Sequence, residues 1–320
     1  MFNVTREDIE LFSKEGNRAV IGQAALMIAE KDLSLILMCA DIGCRIAADK
    51  LYKKYPEKYI QTGIAEQTMI SIASAMANEK FNVFAAAYAP FITARVLDQV
   101  RVNMGIMESP VTLIGVMAGL FASDLGPSST ACEDIAQIRS IPNIAVISPA
   151  DCTETVKAMI ALSDYNKPAY LRVTVGLPNQ IVYKKDYNFE IGKAITLREG
   201  QNIAIISTGT ITYQCLEAAE ILDKQGISCT VLNMHTIKPL DTSAIDKLMN
   251  YDTIFTVEEH SIIGGLGGAV AEYLAEKKST PRLKRIGTPD YYMDADSFAV
   301  MLERVGLSPE KIAEQILSEL

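Results

Sequence analysis

Short apolar runs alternate with helix-length amphipathic runs along the whole chain. This alternation constrains the fold more than any other feature. A strand that is apolar on both faces has to be covered on both, and crossover helices supply that cover. The expected class is α/β, with two consecutive domains whose mainly parallel sheets are flanked by helices. In the first part the strands read Leu33 to Cys39, Tyr59 to Gln61, Val83 to Ala87, Val111 to Val116, Ala145 to Ser148 and Ala169 to Val173. Helices read Arg18 to Glu30, Ala65 to Asn78, Phe91 to Met104, Glu133 to Ser140 and Thr153 to Ser163. Periodicity lapses over Gly176 to Lys193, where Pro178, Asn179, Lys184, Lys185 and Asp186 gather, and returns with a strand at Ile203 to Ser207. The predicted division is a domain over 1–180, a linker over 181–193 and a domain over 194–320. The second domain repeats the pattern, with strands at Ser228 to Asn233 and Thr253 to Glu258, and helices at Tyr213 to Lys224, Ser243 to Met249 and Gly267 to Glu276. A last helix starts at Ser308-Pro309, a common start signal.

Composition excludes several classes. Thirty Lys and Arg against 39 Asp and Glu give a net charge of −9, which opposes the counterion-releasing phosphate contacts of nucleic-acid binding. No apolar run approaches the ~20 residues of a membrane helix, and Met1-Phe2-Asn3-Val4 opens no basic stretch followed by an apolar core. The expectation is a cytoplasmic protein with neither a nucleic-acid nor a membrane partner. Six cysteines, none spaced Cys-x-x-Cys, read as reduced thiols. Two histidines allow no His-rich metal site, so no metal is assigned to this chain. The cluster Gly264-Gly265-Leu266-Gly267-Gly268 resembles a dinucleotide loop only weakly, because Val270 stands where a third small residue belongs; a tight turn explains it better.

The segment Tyr59-Ile60-Gln61-Thr62-Gly63-Ile64-Ala65-Glu66-Gln67-Thr68-Met69 puts Glu66 in the first turn of a helix that follows a strand. Alone, such a carboxylate only complements the helix dipole. Its company says more. In order along the chain stand Ala40-Asp41-Ile42, Ala87-Tyr88-Ala89-Pro90-Phe91, Ala118-Gly119-Leu120, Asp124-Leu125-Gly126-Pro127, Glu133-Asp134-Ile135-Ala136 and Ser148-Pro149-Ala150-Asp151. His235-Thr236-Ile237-Lys238-Pro239-Leu240-Asp241 and Val257-Glu258-Glu259-His260 follow in the second domain. Taken together and in register, these segments resemble the pyrimidine-binding and C-terminal domains of the transketolase family of thiamin diphosphate enzymes over nearly the whole chain.

The resemblance implies a thiamin diphosphate cofactor and makes Glu66 the catalytic carboxylate at N1′ of its aminopyrimidine. It places Phe91 against the ring, Tyr88 beside it, and Asp41, Ile42 and Ile64 on the cofactor side; Asp41 also fits a plain helix cap. Ala94 stands where many transketolases carry a tyrosine. The family grips the diphosphate and its Mg2+ or Ca2+ through Gly-Asp-Gly, which this chain lacks. The chain therefore resembles the C-terminal subunit of a split transketolase, sharing the cofactor with an amino-terminal subunit that carries Gly-Asp-Gly and the metal, in a dimer of heterodimers.

The implied activity is transfer of a two-carbon ketol unit from a ketose, phosphorylated or otherwise anionic, to an aldose. Alternatives are the beta subunit of a 2-oxo acid dehydrogenase, a deoxyxylulose-phosphate-synthase-like enzyme, or a non-catalytic scaffold subunit. Substrate positions depart from the pattern. Ser129 replaces the histidine of Gly-Pro-Thr-His, Met117 lies near the place of another, and no second arginine follows Arg172. Arg45, Ser123, Asp124, Ser128, Ser129 and Thr130 are expected to shape the sugar pocket, with His260 near it and His235 structural.

Overall fold

The computed structural model describes residues 2–320. Twelve strands run in chain order as β1 (Leu35–Cys39), β2 (Tyr59–Gln61), β3 (Asn82–Tyr88), β4 (Val111–Ala118), β5 (Ala145–Ile147), β6 (Ala169–Thr174), β7 (Ile195–Arg198), β8 (Ile203–Thr208), β9 (Cys229–Asn233), β10 (Thr236–Lys238), β11 (Thr253–Ser261) and β12 (Arg282–Thr288). They form a seven-stranded sheet ordered β10-β5-β6-β4-β3-β1-β2 and a five-stranded sheet ordered β12-β11-β8-β9-β7. Every β4 residue is buried, as a central parallel strand covered on both faces requires. The α/β class and the parallel sheets stand as expected.

Helices Ala19–Ala29 and Cys152–Ser163 cover one face of the first sheet, where Val20, Ile21, Phe84, Ile114 and Val156 interlock. On the other face Met69, Ile70 and Ala73 of helix Glu66–Asn78 join a cluster that continues through Ile206 and Leu232 to Ile254 of the second sheet. The two sheets thus share one apolar core. They also share backbone: β10, from the second half of the chain, pairs antiparallel with β5 as the edge of the first sheet.

One expected helix is broken. Phe91 to Met104 reads as continuous apolar periodicity, yet the chain forms helix Ala89–Ile92, a tight 3-10 turn at Ala94–Val96, helix Leu97–Val100 and a wide turn at Arg101–Ile106. The break is at Thr93, with φ −117° and ψ −82°. Its buried hydroxyl donates to the Ala89 carbonyl at 2.7 Å, a local bond that competes with helical pairing. The glycine cluster forms a turn, as expected: Gly264 has φ +76°, and the buried Glu258 carboxylate accepts from the amides of Leu266 (2.6 Å) and Gly267 (2.8 Å) at the start of helix Leu266–Ala275.

Candidate active site

Strand β2 ends in a turn held by Thr62, whose amide and hydroxyl both donate to the Cys39 carbonyl. Gly63, at φ +67°, reverses the chain, and the next helix opens directly on Glu66. The Glu66 side chain is 4% exposed. Its Oε2 accepts from Arg95 Nη1 at 3.0 Å. The Arg95 guanidinium also lies over the Phe91 ring, 4.0 Å from its centroid, and Tyr88 meets Phe91 edge-on at 6.4 Å. One guanidinium therefore gathers Glu66 and Phe91 around a single place. The Thr93 break lies between Phe91 and Arg95, and Arg95 stands in the tight turn that follows it.

Phe91, Arg95, Ser128, Thr130, Glu133 and Tyr292 line a hollow of about 450 Å³. Thr130, Glu133 and Tyr292 also line a second hollow of about 290 Å³, which reaches Ser123 and the Thr288–Met293 loop. The two form one cleft between the domains. Burial, with Asp134 beside it, pushes the half-buried Glu133 carboxyl upward, and its Oε2 accepts from the Cys132 amide at 3.0 Å.

The other expected site residues divide. Asp41 is exposed, sits at φ +57° and donates its amide to Gln61 Oε1 at 2.7 Å. Ile64 is 74% exposed. Ile42 is 2% exposed and packs in the core, so its side chain is not brought to the cleft. Arg45 is an exposed residue of the turn Gly43–Ile46, whose ends are buried, and has no ion-pair partner among the described residues. Ser128 and Thr130 face the Phe91 hollow. Asp124 is exposed. Ser123 is buried at the cleft floor, and its hydroxyl donates to the Asp296 carbonyl at 2.9 Å. Ser129 stands aside, its amide bonded to the Gly126 carbonyl.

His260 is not in the cleft. It is fully buried, with Nδ1 2.7 Å from the Ser261 carbonyl and Nε2 3.3 Å from the Ala136 amide. The carbonyl assigns the proton to Nδ1, leaving Nε2 as acceptor, and burial lowers the imidazole to about 4. His235 is also fully buried, stacked on Phe189 and lowered to about 4 by burial. Arg172 is consumed inside the fold. Its Nε donates to both oxygens of Asp134 (2.9 and 3.1 Å), and its Nη2 donates to the carbonyls of Glu259 (2.8 Å) and Ala131 (3.2 Å). Glu259 in turn accepts from the Leu120 amide at 2.6 Å, fastening the cleft loop to β11.

Sequence reasoning missed Arg95, Glu133 and Tyr292. The available signal for Arg95 was its place four residues after Phe91, one helical turn onward. The gathered residues fit a flat nitrogen heterocycle: a buried carboxylate keeps Oε1 free of any donor among the described residues, beside an aromatic side chain.

Residues 14–179 match the transketolase pyrimidine binding domain, and residues 192–312 match the transketolase C-terminal domain. A protein of Methanocaldococcus jannaschii, provisionally named a transketolase C-terminal section, is 35% identical over 96% of this chain and 96% of its own. One of the subunits of an apulose-4-phosphate transketolase, from Phocaeicola vulgatus, is 33% identical over 91% of this chain and 93% of its own. A solved structure described as a split gene transketolase, inactive beta4 tetramer, superposes with a TM-score of 0.85 at 28% identity, covering 95% of this chain and 97% of that one.

Proposed function

The chain belongs to the transketolase family, and from that premise we propose that it is the C-terminal subunit of a split, thiamin diphosphate-dependent transketolase. It moves a two-carbon ketol unit from a ketose, phosphorylated or otherwise anionic, to an aldose. The observation that carries this reading is the buried Glu66 carboxylate, joined through Arg95 to the Phe91 ring.

In this reading residues 1–180 are the pyrimidine-binding unit, 181–193 the linker and 194–320 the C-terminal unit. Glu66 offers Oε1 to the N1′ side of the aminopyrimidine, in a nearly dry site where a fixed charge acts strongly. Phe91 and Tyr88 hold the ring by its apolar surface, and Asp41 and Ile64 border it. Once bound, the cofactor supplies a nucleophilic thiazolium carbon for the ketol fragment. Its diphosphate and Mg2+ or Ca2+ fall to an amino-terminal subunit with Gly-Asp-Gly, and two such pairs join as a dimer of heterodimers in the cytoplasm. Arg45, Asp124, Ser128 and Thr130 shape the sugar's entry.

The test is co-expression with that subunit and assay of ketose donors with thiamin diphosphate and magnesium. The pair is expected to turn over, and the Glu66→Ala pair to lose at least ~100-fold. Full turnover by this chain alone, or by the Glu66→Ala pair, overturns the reading.

A further inference from the structure

The contacts of Arg95 go beyond what the cofactor reading assigns. Its Nη1 holds Glu66 Oε2 at 3.0 Å while the guanidinium plane lies 4.0 Å over Phe91. These are a charge-assisted hydrogen bond and a cation–π contact, and only a planar, permanently charged fork makes both at once. The backbone carrying it is pinned on each side. Thr93 is bonded to Ala89 through amide and hydroxyl, and Val96 is fully buried. The partners differ in access: the Arg95 side chain is 41% exposed and that of Glu66 4%. The guanidinium thus sits at the mouth and reaches inward to one oxygen, leaving Oε1 without a donor among the described residues.

We propose that Arg95 is a positioning residue for the cofactor: it clamps one oxygen of Glu66 and lies across Phe91, so that the other oxygen meets N1′ in a fixed orientation. The inference rests on the cofactor reading above. It adds that the orientation of Glu66 is set by a side chain rather than by the helix start, where the preceding Ala65 gives no side-chain cap. Without the clamp the carboxylate rotates about its last bonds, and N1′ meets a spread of orientations.

The experiment uses this chain assembled with its amino-terminal subunit, as wild type, Glu66→Ala, Arg95→Ala and Arg95→Lys. Arg95→Ala is expected to lower kcat by about 10- to 100-fold, the scale of one charged hydrogen bond, and to raise the KM for thiamin diphosphate about tenfold. The near-ultraviolet circular-dichroism band of the bound aminopyrimidine should weaken even at saturating cofactor. Millimolar guanidinium should restore part of the kcat of Arg95→Ala, which a purely structural role would not allow. Arg95→Lys guards against misfolding: it should keep the wild-type Tm yet show the kcat loss, because an ammonium lacks the planar fork.

Unchanged kcat and KM in both variants overturn the proposal, as does a kcat loss that guanidinium leaves untouched. The two readings fail separately. A wild-type pair that binds no thiamin diphosphate removes the proposed function. A pair that turns over, is inactivated by Glu66→Ala and ignores Arg95→Ala removes this inference alone.

Discussion

Glu66 opens its helix with no side-chain cap before it, so its carboxylate complements the helix amino terminus while accepting from Arg95. Glu66→Gln keeps the shape and loses the charge. Turnover of the assembled pair is expected to fall about 10²- to 10⁴-fold with little change in melting temperature, read by parallel steady-state assays and thermal scans. That Glu66, Tyr88 and Phe91 come together in space was foreseeable because their short runs carry the family resemblance. Arg95 was not, since an arginine on a helix face has many ordinary uses and its two partners lie in different segments. His260 misled for a related reason. Two glutamates and a histidine at a strand end look polar and reactive, yet β11 runs on through them and buries all three.

At the scale of elements, central strands were read nearly to the residue because two-sided burial leaves an unbroken apolar run. Edges were missed. β12 is exposed or half-buried over Arg282–Arg285 and carries charges at Arg282, Lys284 and Arg285, so it shows no apolar run, and β10 is three residues long, too short to carry a period. The Phe91 to Met104 break was hidden because periodicity persists across it while one hydroxyl changes the backbone. The cleft loop carries its own check. Gly119 has φ +75°, and a Cβ there would come 2.2 Å from Glu259 Oε1, so Gly119→Ala meets both backbone strain and a carboxylate that holds Leu120. The expected loss exceeds about 1 kcal/mol, measured by urea denaturation, with Gly126→Ala as a comparison because nothing lies within 4 Å of a Cβ there.

For the whole molecule, the joint between the two units is polar as well as apolar, because Arg172 of the first unit donates to the Glu259 carbonyl of the second. Arg172 and Asp134 are fully buried partners, and Arg172→Met leaves an unpaired charge inside. A loss of about 3–5 kcal/mol is expected, with Arg172→Met/Asp134→Leu recovering part of it in denaturant titrations. Acid acts on the same interior. The unfolded chain protonates its imidazoles near 6.5, whereas burial holds His235 and His260 near 4 in the fold. Their contribution is present above 6.5 and is lost as pH falls through 4. Glu154, Glu258 and Glu259 oppose this, being raised by burial from 4.5 to about 7; their contribution is complete below 4.5 and is lost as pH rises through 7. His235→Gln removes one imidazole, so its Tm should fall less than that of wild type between pH 6.5 and 4.

Strand β10 also bears on how such a chain can be cut. The first sheet ends on a strand drawn from residues 236–238, beyond every segment that otherwise builds it. A protein ended near residue 190 would keep the first six strands but leave Ala145–Ile147 with a bare row of amides and carbonyls, a template for pairing with other chains. Such a fragment is expected to aggregate, visible by light scattering, where the full chain does not. Gene fission between the two units would carry the same penalty, so the pair behaves as one heritable module.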